Sequence, residues 1–455
     1  MKRREFLALV AAAPAFCYDE RADILNRIKA PQFPDREFSI VKFGAAETSR
    51  DGGKRDSTEA MKKAIAACAA AGGGRVIVPE GVFLTGAIHL KSGVNLHVMK
   101  NATLLFNRDP KLYLPLVFTR WEGTECMNYS PFVYAFEQTN IAISGAGTLD
   151  GQADCDHWWN WSGKGGCGKK GEPTQVQARN ELVAAGDKDV PVKDRVYGEG
   201  RWLRPQFIQP YRCTNVLIED VTIRNSPMWE INPVLSKNVT ARGVKIASHG
   251  PNNDGCDPES STDVLIDNCE FDTGDDCIAI KSGRNRDGRR VAVASQNIIV
   301  RNCVMKDGHG GVTIGSEASG DVRNVFVENC RMDSPHLNAA LRIKTNSFRG
   351  GKIENVSMRN CTVGQVAQAI LDVDLFYEEG EGGAFTPLVR NITMENVTCN
   401  KSKVAVSLKG YKSAPIRDVN LTNCTFDHVE KPNVLQNVTG LHVSDVTING
   451  QKWAV

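Results

Sequence analysis

No stretch of this sequence is long and apolar enough to cross a bilayer as a helix, which takes about 20 residues; the run from Phe6 to Phe16 falls well short. Nor does either sign of charge dominate. Lysine and arginine number 55 against 53 aspartate and glutamate, a formal net charge of +2, which excludes the broad basic surface of a non-specific nucleic-acid binder. An anionic ligand must therefore be met by a local cluster of cations. No Cys or His spacing reads as a zinc site. With 41% hydrophobic and 24% charged residues the chain is not a disordered one.

What is present begins with Lys2-Arg3-Arg4 ahead of the short apolar run, the layout of an export signal. Arg3-Arg4-Glu5-Phe6-Leu7 resembles the twin-arginine type. Residues 1–17 are thus expected to be removed, and 18–455 to work in the periplasm or outside the cell. Removal leaves 13 of the 14 cysteines, an odd number, so at least one thiol stays unpaired. Cys269, Cys303, Cys330, Cys361 and Cys424 each follow an asparagine at one point of a repeat and read as small buried side chains stacked in register. Cys155 and Cys167 are a candidate loop disulfide.

The repeat starts at Asn215 and occurs eight times: NVLIEDV, NVTARGV at Asn238, DVLIDNC at Asp263, NIIVRNC at Asn297, NVFVENC at Asn324, NVSMRNC at Asn355, NITMENV at Asn391 and DVNLTNC at Asp418. Successive copies start 23 to 36 residues apart, so a fixed unit carries insertions of variable length, which describes a solenoid. Period-two alternation gives strands with one buried face, and the lack of amphipathic helices between copies excludes βαβ units. The expected fold is all-β, one right-handed parallel β-helix. Its asparagines are expected to stack along the axis, their amides satisfying backbone groups at the turns. Residues 57–71 read as a helix, capped by Ser57 or Thr58, that covers the open N-terminal end. Strands are expected at 75–78, 82–89, 94–98 and 140–143. Between Gly151 and Arg204 the pattern stops, giving a long loop insertion at 152–204.

Four clusters interrupt the repeat: Asn252-Asn253-Asp254-Gly255, Gly274-Asp275-Asp276-Cys277, Gly308-His309-Gly310 and Arg342-Ile343-Lys344. On neighbouring coils at one phase they form a single patch, about 5 Å per coil. Three crowded carboxylates raise one pKa and leave a protonated acid beside ionised partners, the division that glycoside hydrolysis needs. Asp275 and Asp276 are adjacent, so they share a site only near a bend. The same carboxylates also suit a calcium ion. Arg342 and Lys344 lie two residues apart, on one strand face, where they can meet a sugar carboxylate.

The ordered set Asn-x-Asp, Gly-Asp-Asp, Gly-His-Gly and Arg-Ile-Lys resembles the active-site signature of glycoside hydrolase family 28, the polygalacturonases, and the similarity runs from about Val41 to the C-terminus. The resemblance implies an inverting hydrolase of α-1,4-galacturonosyl bonds, acting on a pectic polysaccharide or oligogalacturonide without cofactor or metal. On the matching positions it implies Asp275 as general acid, Asp254 and Asp276 as the pair activating water, His309 in support, and Arg342 with Lys344, beside Asn252, binding the uronate. Asn253 departs from a common Thr. Inversion carries the expectation of carboxylates about 6.5 to 9.5 Å apart. Arg120-Trp121-Glu122-Gly123 resembles a segment of exo-acting members. The insertion, with Trp158, Trp159, Trp161 and Trp202 as wall and Lys164, Lys169 and Lys170 as attracting charges, is expected to block one end of the groove. The competing readings are a calcium-dependent pectate lyase, a rhamnogalacturonan-active enzyme and a non-catalytic pectin-binding β-helix; oligomeric state is left open.

Overall fold

All eight repeat phrases form strands, and their alternation places one β-branched residue per coil at the same inward register. Val216 pairs with Val239, and the column continues through Val264, Ile298, Val325, Val356, Ile392 and Val419. Each is 2% exposed or less, so the column is the core itself. In each catalytic-region coil a second strand follows (Lys245–Ser248, Glu270–Thr273, Val304–Asp307) and a third completes the turn (Ile278–Ile280, Gly310–Gly315, Ala339–Lys344, Ala369–Asp374). Each pairs in parallel with its equivalent one coil on. The fold is a parallel β-helix. The computed structural model describes residues 20–48, 55–163 and 166–454; the export signal expected at 1–17 and Lys164 lie outside these. Among the described residues no helix is long and apolar enough to cross a membrane.

The turn asparagines have a specific reason to be there. Asn215, Asn238, Asn297, Asn324, Asn355 and Asn391 all sit at φ between 56° and 59°, the left-handed region that asparagine tolerates better than most residues with a Cβ. Their amides form a ladder: Asn238 donates to Asn215 at 2.7 Å, Asn324 to Asn297 at 3.0 Å, Asn355 to Asn324 at 2.9 Å and Asn391 to Asn355 at 2.7 Å. The expected stack exists, but its bonds run from amide to amide between equivalent side chains of adjacent coils. The five stacked cysteines are buried free thiols, and Cys155 and Cys167 are the disulfide.

Helix α1 (Glu20–Arg27) lays Ile24, followed by Ile28, over Leu265 and Ile299 on the outer face of the repeat strands. Helix α2 (Thr58–Ala70) buries Ala60, Met61, Ala64, Ile65 and Cys68 as expected of a cap. Its first N–H is satisfied by Asp56, whose carboxylate accepts from Thr58 N at 2.7 Å, and not by Ser57 or Thr58. The strand expected at 82–89 is two, Gly81–Thr85 and Ile88–His89. The insertion at 152–204 is more than a loop. It contains α3 (Val176–Asp187), whose Ala178 and Leu182 pack with Trp121, Cys126, Met228 and Trp229. A further short helix, α4 (Asn285–Val291), falls between two repeat copies. It corrects the expectation of helix-free intervals, though its seven residues make a side excursion rather than a crossover between strands.

Candidate active site

The third strand of each coil positions the site. Cys256, Ile278, Val312 and Leu341 are in register on consecutive coils. Asp254, Asp275-Asp276 and His309 therefore precede equivalent inward residues, and Arg342 with Lys344 follow one. The four clusters form one patch. Asp275 and Asp276 occupy the turn between Glu270–Thr273 and Ile278–Ile280, which lets neighbours in sequence each bring a carboxylate oxygen to one cluster with Asp254. Gly274 permits the turn to press on the previous coil: a Cβ there would lie 2.5 Å from the Gly250 carbonyl oxygen.

One carboxylate oxygen from each of Asp254, Asp275 and Asp276 lies within 4.8 Å of the others. This is closer than the 6.5 to 9.5 Å range expected for an inverting pair. The reason is architectural, since coils stack at about 4.8 Å and bring equivalent residues together. Asp276 is fully buried and accepts from Lys344 Nζ at 2.8 Å and Thr313 Oγ1 at 3.0 Å. Asp254, 3% exposed, has Lys281 Nζ at 3.6 Å. Burial, then the charges of Asp257 and Asp275, push its pKa well above the usual carboxylate range. Asp275 is the carboxylate open to the cleft, and His309 Nδ1 lies 3.0 Å from its Oδ1. Burial acts to raise Asp275, but the His309 hydrogen bond with the Lys344 and His309 charges outweighs it, holding the carboxyl at about 2. The same hydrogen bond raises His309. These shifts favour the protonated form at Asp254 over the expected acid Asp275.

Arg342 and Lys344 approach one ring: the Arg342 Cζ is 5.6 Å and the Lys344 Nζ 5.3 Å from the Tyr377 centroid. Lys344 is hydrogen-bonded to Asp276 at 2.8 Å, whereas Arg342 has the longer ion pair to Asp372 at 3.6 Å, so Arg342 is the less tightly held of the two toward a substrate carboxylate. Asn252 Oδ1 accepts from Arg204 Nη2 at 2.8 Å, and buried Arg204 also binds the carbonyls of Pro227 and Pro251, fixing this loop. Asn253 is buried, its amide bonded to Ser226, Met228, Ser248 and Gly250. That four-way bonding accounts for an amide where a hydroxyl is common.

The cleft measures about 620 Å³ and runs from Cys155, Trp159, Cys167 and Arg179 of the insertion, past the aspartates, to Tyr377 and Glu378. Of the four tryptophans expected to wall it, only Trp159 lines it; Trp158 and Trp161 are buried in the core, and Trp202 packs against it. Lys169 pairs instead with Asp156. The insertion's cation in the cleft is Arg179, 2.6 Å from Glu122 at the tip of the hairpin carrying Arg120 to Gly123. Glu122 belongs to the Arg120 to Gly123 segment already noted in the sequence, whereas Lys281, Glu317, Tyr377 and Arg179 were not singled out there. Only Lys281, a charge ending the apolar run Cys277 to Ile280, left a signal there.

Among the described residues two groups have the composition of a cation site. Asp254, Asp275 and Asp276 already receive ammonium charge from Lys281 and Lys344, which takes the electrostatic role of a calcium ion. His249, Asp272 and Asp307 lie on the rim, with Asp272 bonded to His249 and Asp307 to His336.

The sequence profile of glycosyl hydrolases family 28 matches residues 197–450. An exopolygalacturonase from Thermotoga maritima superposes with a TM-score of 0.92 at 45% identity, covering 95% of this chain and 96% of that one. The exo-poly-alpha-D-galacturonosidase of Dickeya chrysanthemi is 28% identical over 411 residues, 83% of this chain and 65% of that protein. An endo-polygalacturonase of Pectobacterium carotovorum subsp. carotovorum is also 28% identical, over 81% of this chain and 83% of its own length.

Proposed function

The chain belongs to glycosyl hydrolase family 28, and from that membership we propose that it is a polygalacturonase hydrolysing the α-1,4-galacturonosyl bonds of pectin from chain ends. The observation that carries the reading is one cleft lined by Asp254, Asp275, Arg342 and Lys344, with Asp276 buried against Lys344 beneath it and the insertion at one end. Asp254 and Asp276, on adjacent coils, hold the attacking water. Asp275, open to the cleft, donates to the leaving oxygen. In a coupled cluster the proton belongs to the group rather than to one residue. A bound uronate adds negative charge beside Asp275 and engages Arg342 and Lys344, and both effects raise that carboxyl toward the protonated form. The product is expected to be inverted, an expectation that rests on this division of roles and not on carboxylate separation. Export to the periplasm or beyond goes with the basic and apolar N-terminus.

Incubation with polygalacturonate tests this. Mono- or digalacturonate should appear first while viscosity falls slowly, and time-resolved NMR should show an inverted anomer. Rapid viscosity loss with a ladder of oligomers would refute chain-end attack. Net retention would make one aspartate a nucleophile, and an ultraviolet-absorbing unsaturated product would mean a lyase.

A further inference from the structure

Lys281 is buried in the site yet belongs to none of the four clusters. Its Nζ lies 3.6 Å from Asp254, 3.7 Å from Asp257 and 3.4 Å from Glu317, and 4.5 Å above the Trp229 ring. Its side chain is 4% exposed. Ile280 pairs with Ile314, and Gly315 with Lys344, so Lys281 and Lys344 occupy the same column of the helix two coils apart. Gly315 stands between them at φ 99°, where a Cβ would collide with the Lys344 carbonyl. No side chain separates the two ammonium groups along the column. Each reaches one carboxylate of the proposed water-holding pair, Lys344 to Asp276 and Lys281 to Asp254.

We propose that Lys281 is a positioning residue for hydrolysis, facing Asp254 as Lys344 faces Asp276, so that two lysines of one column orient both water-activating carboxylates. This rests on the reading of Asp254 and Asp276 as the base pair. The surroundings make a cation necessary. Asp257, Glu317, Glu259 and Asp276 all face Lys281, with Arg284 beyond Glu317 and Arg120 beyond Glu259. Asp254 meets Asp257, Asp275 and Asp276 besides Lys281. Among the described residues Asp254 Oδ1 is buried with no hydrogen-bond partner, and Asp257 beside it is wholly buried with Lys281 Nζ 3.7 Å away. Burying carboxylates with only like charge around them would keep Asp254 protonated and useless as a base. The Lys281 ammonium opposes this.

The test is kinetics against pH on polygalacturonate with Lys281→Met, Lys281→Arg and Asp257→Asn. Lys281→Met should lower kcat about 10²-fold, with KM changed far less, as for a misplaced catalytic group. It should also move the acidic limb of kcat to higher pH, since Asp254 loses its counter-charge. Lys281→Arg should restore the limb. Asp257→Asn removes a like charge and should move the limb the opposite way, which keeps the proposal testable if Lys281→Met does not fold. An unmoved limb in both Lys281→Met and Asp257→Asn overturns it, as does a raised KM with kcat kept, which would make Lys281 a simple substrate contact. Absence of any product from the unaltered protein would strike the proposed function instead, a separable failure.

Discussion

At the scale of single residues, the site contains a conflict that its chemistry must resolve. The acid has to be protonated when it acts, yet the His309 hydrogen bond lowers the Asp275 carboxyl. If Asp275 is the donor, Asp275→Asn should lower kcat by roughly 10²- to 10⁴-fold, the usual contribution of general acid catalysis, in a protein whose circular dichroism is unchanged. Near-normal turnover would sink the assignment. The sign for His309 follows from the same geometry. His309 lowers Asp275, so His309→Gln should raise it and extend the protonated form upward. The alkaline limb of kcat/KM should then move to higher pH by about one unit or more, the size of a neighbouring-charge effect. Movement to lower pH would mean that His309, not Asp275, supplies the proton. That Asp275, Asp254 and Asp276 come together was legible because Gly-Asp-Asp and Asn-x-Asp interrupt a regular repeat. Which of them holds the proton was not legible, because burial and the Lys281 contact belong to the folded coils.

At the scale of elements, the insertion is where reading and structure diverge. Its Gly, Lys and Trp content suggested a long loop walled by tryptophans, but α3 packs two side chains on Trp121 and Trp229, and the disulfide ties 155 to 167. The helix escaped notice because it buries only Ala178, Leu182 and Gly186, too few to show a clear apolar stripe. Its functional contact is Arg179 to Glu122, with Arg284 joining Glu122 to Glu317 across the cleft. Arg179→Ala should leave Glu122 short of a partner and loosen this end of the cleft. Early products should then include longer oligogalacturonides than the unaltered protein releases, measured by chromatography at low conversion. An unchanged product distribution would place the block elsewhere in the insertion.

At the scale of the whole molecule, each coil is bonded chiefly to its neighbours, so stability is a sum of stacked interfaces. Asn324 is a central rung, donating to Asn297 and accepting from Asn355 at φ 56°. Asn324→Ala should cost about 1 to 3 kcal/mol in denaturant unfolding, from a Cβ residue held at positive φ and an orphaned ladder bond. Asn324→Gly, free of the backbone penalty, should cost less than Ala if the φ matters. Equal losses would assign the whole effect to the ladder. By itself the sequence determined the coil: eight phrases of period-two alternation admit one buried face and one direction of stacking, and their interruptions mark where chemistry departs from repetition. Tertiary structure alone decided the distances between coils. Stacking at a fixed strand spacing set the carboxylates closer than expected, aligned Lys281 with Lys344, and drew Trp158 and Trp161 into the core, because register between coils depends on insertions whose folded paths no local pattern encodes.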